Sequence, residues 1–299
     1  LTIYDLMIYG ENVIADNPKI KKITGDIRDI ENVKKSMKGH DAVIHLACIS
    51  NDPSFELNPN LGKSINLYAF EPMVKAAREL NIKRFIYASS SSVYGIKNEK
   101  NVHEGMSLEP LTDYSKFKAE CESILSRYNT EDFTTVTIRP ATVCGYSTRQ
   151  RLDVVVNILT NIGYHKRKIT VFGGDQLRPN LHIKDMIQSY YLVLKANKSL
   201  ISNQIFNVGS ENQKVIDLAN ITKKIIGEDV ILESTPTNDN RSYHISSKKI
   251  SEILNFNTQF TVQDAVLDLK KAFDEKLLVN TLENEMYFNI KRMQSYQLK

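Results

Sequence analysis

Tyr114 and Lys118 stand four apart in Tyr114-Ser115-Lys116-Phe117-Lys118, so on a helix the phenol and the ammonium share one face. A phenol titrates near pH ~10 and is a poor base at neutral pH, but a cation a few ångströms away favours the phenolate. Such a pair can take the proton of an alcohol while a hydride leaves the same carbon. By itself the pair is commonplace on solvated helices. Its surroundings sharpen it: upstream, an apolar run ends in Ser89-Ser90-Ser91-Ser92-Val93-Tyr94-Gly95. Hydroxyls at the carboxyl edge of a parallel strand face the crevice where doubly wound sheets bind ligands. A serine there can hydrogen-bond the reacting oxygen and share the proton with Tyr114.

The flanking pattern supplies the elements these residues need. Residues 2–4, 19–24, 42–46, 84–88 and 134–138 read as strands, and 30–37, 61–80 and 113–128 as helices. In the last of these, Phe117, Cys121, Ile124, Leu125 and Tyr128 form an apolar stripe, with Asp113 as the expected N-cap. Strands alternating with helices predict a Rossmann-type doubly wound parallel sheet in an α/β fold. Beyond about residue 140 the rhythm loosens. Helices at 154–161, 184–195, 215–226 and 262–273 mix with strands at 169–172 and 205–208, which predicts a smaller mixed α/β lobe. The expected division is 1–142 with a returning segment at 183–209, followed by a substrate lobe over 143–299. Residues 278–299 read as a docked arm or a frayed tail.

Composition excludes other classes. The 299 residues are 41% hydrophobic and 25% charged, enough for a sizeable core. Net charge is +4 and scattered, which argues against a nucleic-acid surface. No apolar run approaches the roughly 18 residues of a membrane span, so no membrane partner is expected. Three widely spaced cysteines and six dispersed histidines argue against a disulfide framework and a metal site, and fit a reducing cytoplasm.

The Ser-Val-Tyr-Gly turn followed by Tyr-x-x-x-Lys resembles the extended short-chain dehydrogenase/reductase family, the sugar-nucleotide epimerases and dehydratases similar to UDP-galactose 4-epimerase. Further segments match in order: Gly25-Asp26-Ile27-Arg28-Asp29, His45-Leu46-Ala47, Asn66, Gly173-Gly174-Asp175-Gln176 with Arg178, His182-Ile183-Lys184-Asp185, Phe206-Asn207-Val208-Gly209 and the stretch around Arg241. The resemblance implies NAD bound by Asp5, Asp26, Ile27, Leu46, Ala47, Cys48, Asn66, Tyr114 and Lys118. It implies catalysis by Ser90, Tyr114 and Lys118 on a nucleotide-diphosphate sugar, held by Ser91, Ser92, Thr142, Arg178 and Arg241. Asp5 would accept the ribose hydroxyls and repel a 2′-phosphate, favouring NAD over NADP. Paired guanidiniums suit a diphosphate. Arg149 and Arg151 are further candidates for the same pocket, and Cys144 reads as packing. The family also implies a cytoplasmic homodimer built on helices 61–80 and 113–128.

Departures from the family pattern narrow the chemistry. The 4,6-dehydratases carry Asp-Glu directly after the residue matched by Ser90, whereas Ser91 and Ser92 stand here. The cysteine that 3,5-epimerases place in this turn is also replaced. What remains suits hydride transfer at one sugar carbon, with C4 epimerisation as the first reading. A C4 dehydrogenase or dehydratase of surface-polysaccharide synthesis is the alternative, since Ser50-Asn51-Asp52-Pro53-Ser54 and Arg149-Gln150-Arg151-Leu152-Asp153 resemble that branch. A non-catalytic dinucleotide-binding regulator is the rival from another class. Thr142 replaces the family's usual phosphate-contacting Asn. With only 12 glycines and Asp5 already at the ribose position, the family's GxxGxxG loop would fall before residue 1, leading to an expected loss of the first βα unit and weak NAD binding by the chain as written.

Overall fold

The computed structural model describes residues 1–50, 52–99, 101–237, 244–296 and 298. The chain begins β1 (Thr2–Asp5), β2 (Lys21–Thr24), α1 (Ile30–Met37), β3 (Ala42–His45), α2 (Asp52–Glu56) and α3 (Pro59–Lys63). There follow α4 (Phe70–Glu79), β4 (Arg84–Ala88), α5 (Asp113–Ser126), β5 (Thr134–Pro140) and β6 (Thr142–Cys144). Next are α6 (Val155–Lys166), β7 (Lys168–Phe172), β8 (Leu177–His182), α7 (Ile183–Lys195), α8 (Lys198–Ile201) and β9 (Gln204–Val208). The last are β10 (Glu211–Lys214), α9 (Val215–Ile226), β11 (Ile231–Thr235), α10 (Lys248–Leu254), α11 (Val262–Asp274) and α12 (Asn289–Tyr296).

Four parallel strands in the order β3-β4-β5-β9 form the main sheet, registered by Ala42↔Arg84, Arg84↔Thr134 and Val136↔Gln204. Strand alternation sends Phe85 and Tyr87 to one face, where they pack with Val33, Phe70, Val74 and Leu125 of α1, α4 and α5. Ile86 points the other way, into a cluster with Ile138, Phe206, Met186, Val193 and Ile250. The sheet is therefore covered on both faces, as its apolar strands require. β9 returns to this sheet from beyond residue 200, pairing with β5. β1 pairs with β2, Asp5 opposite Thr24, and among the described residues no ladder joins β1 to β3. The parallel pair β1-β2 and the four-stranded sheet are thus separate pieces. The second lobe is mixed: β8 lies between antiparallel β10 and parallel β6, and β7 pairs with β11 in parallel.

Two elements differ from expectation. The single helix expected over 61–80 is broken: between α3 and α4 the backbone widens over Ser64–Tyr68, where Ala69 N–H donates to Ser64 C=O across five residues at 3.1 Å. The wider turn carries Asn66, whose side chain pairs with both backbone groups of Ile49 (2.8 and 3.0 Å). These buried amide bonds offset the regular helical ones that the turn forgoes. The N-cap of α5 is Thr112 rather than Asp113: the Thr112 hydroxyl accepts from Ser115 N–H, and Ser115 Oγ accepts from Thr112 N–H.

Candidate active site

β4 delivers the serine turn. Ser89 N–H donates to Ile138 C=O at 2.8 Å, and Ser90 caps the tight turn Ser91–Tyr94. Ser90 Oγ accepts from Ser92 N–H (3.2 Å) and from Ser92 Oγ (2.9 Å). The chain leaves through Gly95 at φ +68°, where a Cβ would stand 2.0 Å from the Glu109 carbonyl oxygen, so only glycine fits. Tyr114 and Lys118 occupy the first turns of α5. The Lys118 ammonium lies 5.8 Å from the centre of the Tyr114 ring and 5.0 Å from that of Tyr87, and it donates to Ala88 C=O at 2.6 Å. Its buried side chain therefore links the helix to the carboxyl edge of β4.

A cavity of about 540 Å³ opens on this edge, lined by Ser90, Ser91, Ser92, Tyr114, Thr142 and Arg178 among others. Six of the candidate residues thus meet on one wall system, and Lys118 stands behind Tyr114. Arg149 and Arg151 line the same cavity. Arg151 is paired with Asp153, and the Arg149 guanidinium stacks 3.6 Å over the Tyr9 ring. Arg241 lies outside the described residues. Burial pushes the Cys144 thiol up to about 12, which keeps it neutral and leaves it a packing residue.

A second cavity, of about 500 Å³, is lined by Asp5, Asp26, Ile27, Leu46, Ala47 and Cys48. Asp5 Oδ1 accepts from Met7 N–H at 2.6 Å. Asp26 is gripped by the Arg28 guanidinium, which holds its carboxyl below the ordinary range. Asn66 is set back from this wall and supports it through Ile49. The lining of this cavity suits NAD, with a carboxylate at the end of β1 for a ribose diol and Ile27 and Leu46 for an aromatic base, whereas Tyr114 lines the 540 Å³ cavity. Gly10 and Gly25 also line the cavity, but Gly10 leads into the short turn Glu11–Val13 and Gly25 packs under Tyr4. The described residues therefore include no glycine turn opening an α-helix here for the pyrophosphate.

Two features escaped the sequence reading. Asn289, in the polar arm, is 3% exposed and joins both lobes. Its Oδ1 accepts from Tyr9 Oη (2.8 Å) and Arg149 Nη2 (2.7 Å), its Nδ2 donates to Ser50 Oγ (2.9 Å), and its N–H donates to Asp153 (2.8 Å). Nothing local marks it, since its partners lie far away in sequence. The other feature is a buried Glu122–Arg139 ion pair beneath the serine turn, with N···O 2.6 Å. Here a signal existed, because Glu122 continues the Tyr114–Lys118 spacing by four.

The NAD dependent epimerase/dehydratase family matches residues 7–209 of the chain. A dTDP-D-glucose 4,6-dehydratase of Bos taurus is 29% identical over 257 residues, 79% of this chain and 69% of that protein. A UDP-glucose 4-epimerase of Lactobacillus helveticus is 26% identical over 247 residues, 76% of this chain and 74% of that protein. The crystal structure of a dTDP-glucose 4,6-dehydratase from Streptomyces venezuelae, with NAD bound, superposes with a TM-score of 0.84 at 18% identity. That superposition covers 94% of this chain and 90% of the other, a likeness of fold. With the family matched across more than half its length and the serine turn and Tyr-x-x-x-Lys helix meeting at one cavity, the chain belongs to the NAD-dependent epimerase/dehydratase family.

Proposed function

We propose that the chain is a C4 epimerase of a nucleotide-diphosphate sugar. The observation that carries this reading is the convergence of Ser90 and Tyr114 on the 540 Å³ cavity with Arg178 on its wall and no carboxylate directly after Ser90. Among the described lining residues the one acid is Asp153, already paired with Arg151, so the turn offers no acid–base pair for eliminating water. This favours epimerisation or oxidation at C4 over 4,6-dehydration.

NAD, when bound, supplies the acceptor and donor of hydride. Tyr114 as phenolate takes the C4 hydroxyl proton, Lys118 stabilises that negative charge, and Ser90 aligns the sugar oxygen. The same phenol returns the proton once the 4-keto sugar has turned its other face; release before turning would make the reaction a net oxidation. Arg178, with Arg241, is assigned to the diphosphate. Residues 1–142 and 183–209 form the cofactor part in this reading, and the rest of 143–299 forms the substrate part. The chain is taken to work as a homodimer in the cytoplasm. Among the described residues no helix is long and apolar enough to cross a membrane.

The test is incubation with UDP-, GDP-, dTDP- and CDP-sugars while following NADH absorbance and product stereochemistry. Inversion at C4 with one of them is expected. No product and no reduced cofactor with any would overturn the reading.

A further inference from the structure

Glu122 and Arg139 are 5% and 2% exposed, and the acid–base scheme above does not use them. Glu122 is the third residue, after Tyr114 and Lys118, in an every-fourth stripe on α5. Its Oε1 accepts from the Ser89 hydroxyl and from Arg139 Nε (3.0 Å), and its Oε2 accepts from Arg139 Nη2 (2.6 Å). Arg139 Nη1 donates to the Tyr94 hydroxyl at 2.7 Å, and that hydroxyl donates to Asn207 Oδ1 at 2.8 Å. Ser89 immediately precedes Ser90, and Tyr94 closes the turn that follows it. One ion pair therefore grips both ends of the serine turn, the helix bearing Tyr114 and Lys118, and strands β5 and β9.

Burying two charges is expensive, and well-packed apolar residues of similar volume commonly stabilise a protein as well or better. What apolar replacements do not supply is direction: hydrogen bonds of fixed geometry from one guanidinium–carboxylate unit and its hydroxyl partners. We propose that Glu122 and Arg139 are positioning residues, which set the placement of Ser90 against Tyr114 through Ser89 and Tyr94. The inference rests on the epimerase reading of this same site.

The experiment compares the full chain with E122M/R139M, S89A and Y94F, each assayed for C4 inversion, thermal unfolding and NAD binding. In E122M/R139M the melting temperature and the KM for the sugar nucleotide are expected to stay near those of the unaltered chain. Its kcat is expected to fall about 10- to 100-fold, the scale set by sub-ångström misplacement of reacting groups. S89A and Y94F each sever one arm of the clamp and are expected to lose about 10-fold in kcat with KM unchanged. A purely structural pair would instead alter the melting temperature and leave kcat per folded molecule intact, and that result overturns the proposal. If E122M/R139M does not fold, S89A and Y94F decide: full kcat in both overturns it, and loss of kcat at unchanged melting temperature upholds it. An unaltered chain that turns over no nucleotide sugar overturns the epimerase reading itself, and the positioning role with it.

Discussion

At the scale of single residues, the site depends on which groups can hold or release a proton. Tyr114 borders the cavity with Lys118 behind it, and Y114F is expected to cut kcat by about 10²- to 10⁴-fold while leaving the melting temperature unchanged. Equal kcat values would remove Tyr114 from the reaction. His45 lies at the end of β3, stacked on Tyr87 at 5.8 Å, and burial first and the Lys118 charge second lower its pKa to about 3. In the unfolded chain the same imidazole titrates near pH ~6.5. Between those values the unfolded chain binds a proton that the folded one refuses. Stability is therefore full above about pH 6.5 and is lost as the pH falls toward 3, by at most ~1.4 kcal/mol per pH unit from this residue. His45→Phe is expected to lose about 2 kcal/mol less than the unaltered chain between pH 6.5 and 5, measured by urea unfolding. Identical losses would clear His45 of any part in acid sensitivity.

At the scale of elements, α5 carries Tyr114 and Lys118, and its start is set by the Thr112–Ser115 capping box. Removing the Thr112 hydroxyl (T112A) is expected to cost about 1 kcal/mol, read as a lowered urea midpoint with unchanged slope. The apolar stripe of α5 was legible because Cys121, Ile124 and Leu125 recur at helical spacing and do enter one core. The strand 84–88 was legible too, since a β-branched and aromatic run flanked by polar residues has few other uses. The break within 61–80 was not. It depends on Asn66 meeting the Ile49 backbone, a contact made only when the chain is folded, and no local preference reports it. The cap at Thr112 is hidden for a similar reason: Asp113 and Thr112 are both good caps, and the choice rests on where Ser115 lands. The serine turn at the end of β4 could be read ahead of the structure, whereas the ion pair beside it needed β5 and α5 to be brought together.

At the scale of the whole molecule, the proposed homodimer puts α3, α4 and α5 at the interface. Tyr68, at the end of the wide turn, leaves an aromatic ring 62% exposed on that side. Light scattering is expected to return the mass of two 34.1 kDa chains, and Tyr68→Glu to shift the protein toward one. An unaltered chain that elutes as one copy would refute the dimer. The divided parallel sheet has a different kind of consequence. β1 and β2 are tied to the rest by Tyr4 and Ile27 packing near α1 and α4, by the hydroxyl of Tyr9 on Asn289, and by Arg292 bonding to Ile8 C=O, not by a ladder to β3. A two-stranded pair is marginal by itself, so this piece opens at lower free energy than the four-stranded sheet. Its amides at 2–5 and 21–24 should exchange with deuterium sooner than those at 84–88 and 134–138. The 500 Å³ cavity draws Asp5 and Asp26 from the first piece and Leu46 and Cys48 from the second, so NAD bound there spans the division. Added NAD is then expected to slow exchange in β1 and β2 far more than in β4 and β5, and matching rates in both pieces would contradict this. In the proposed reading the dinucleotide is a strut between the two pieces of sheet, and part of its binding energy goes to holding them together.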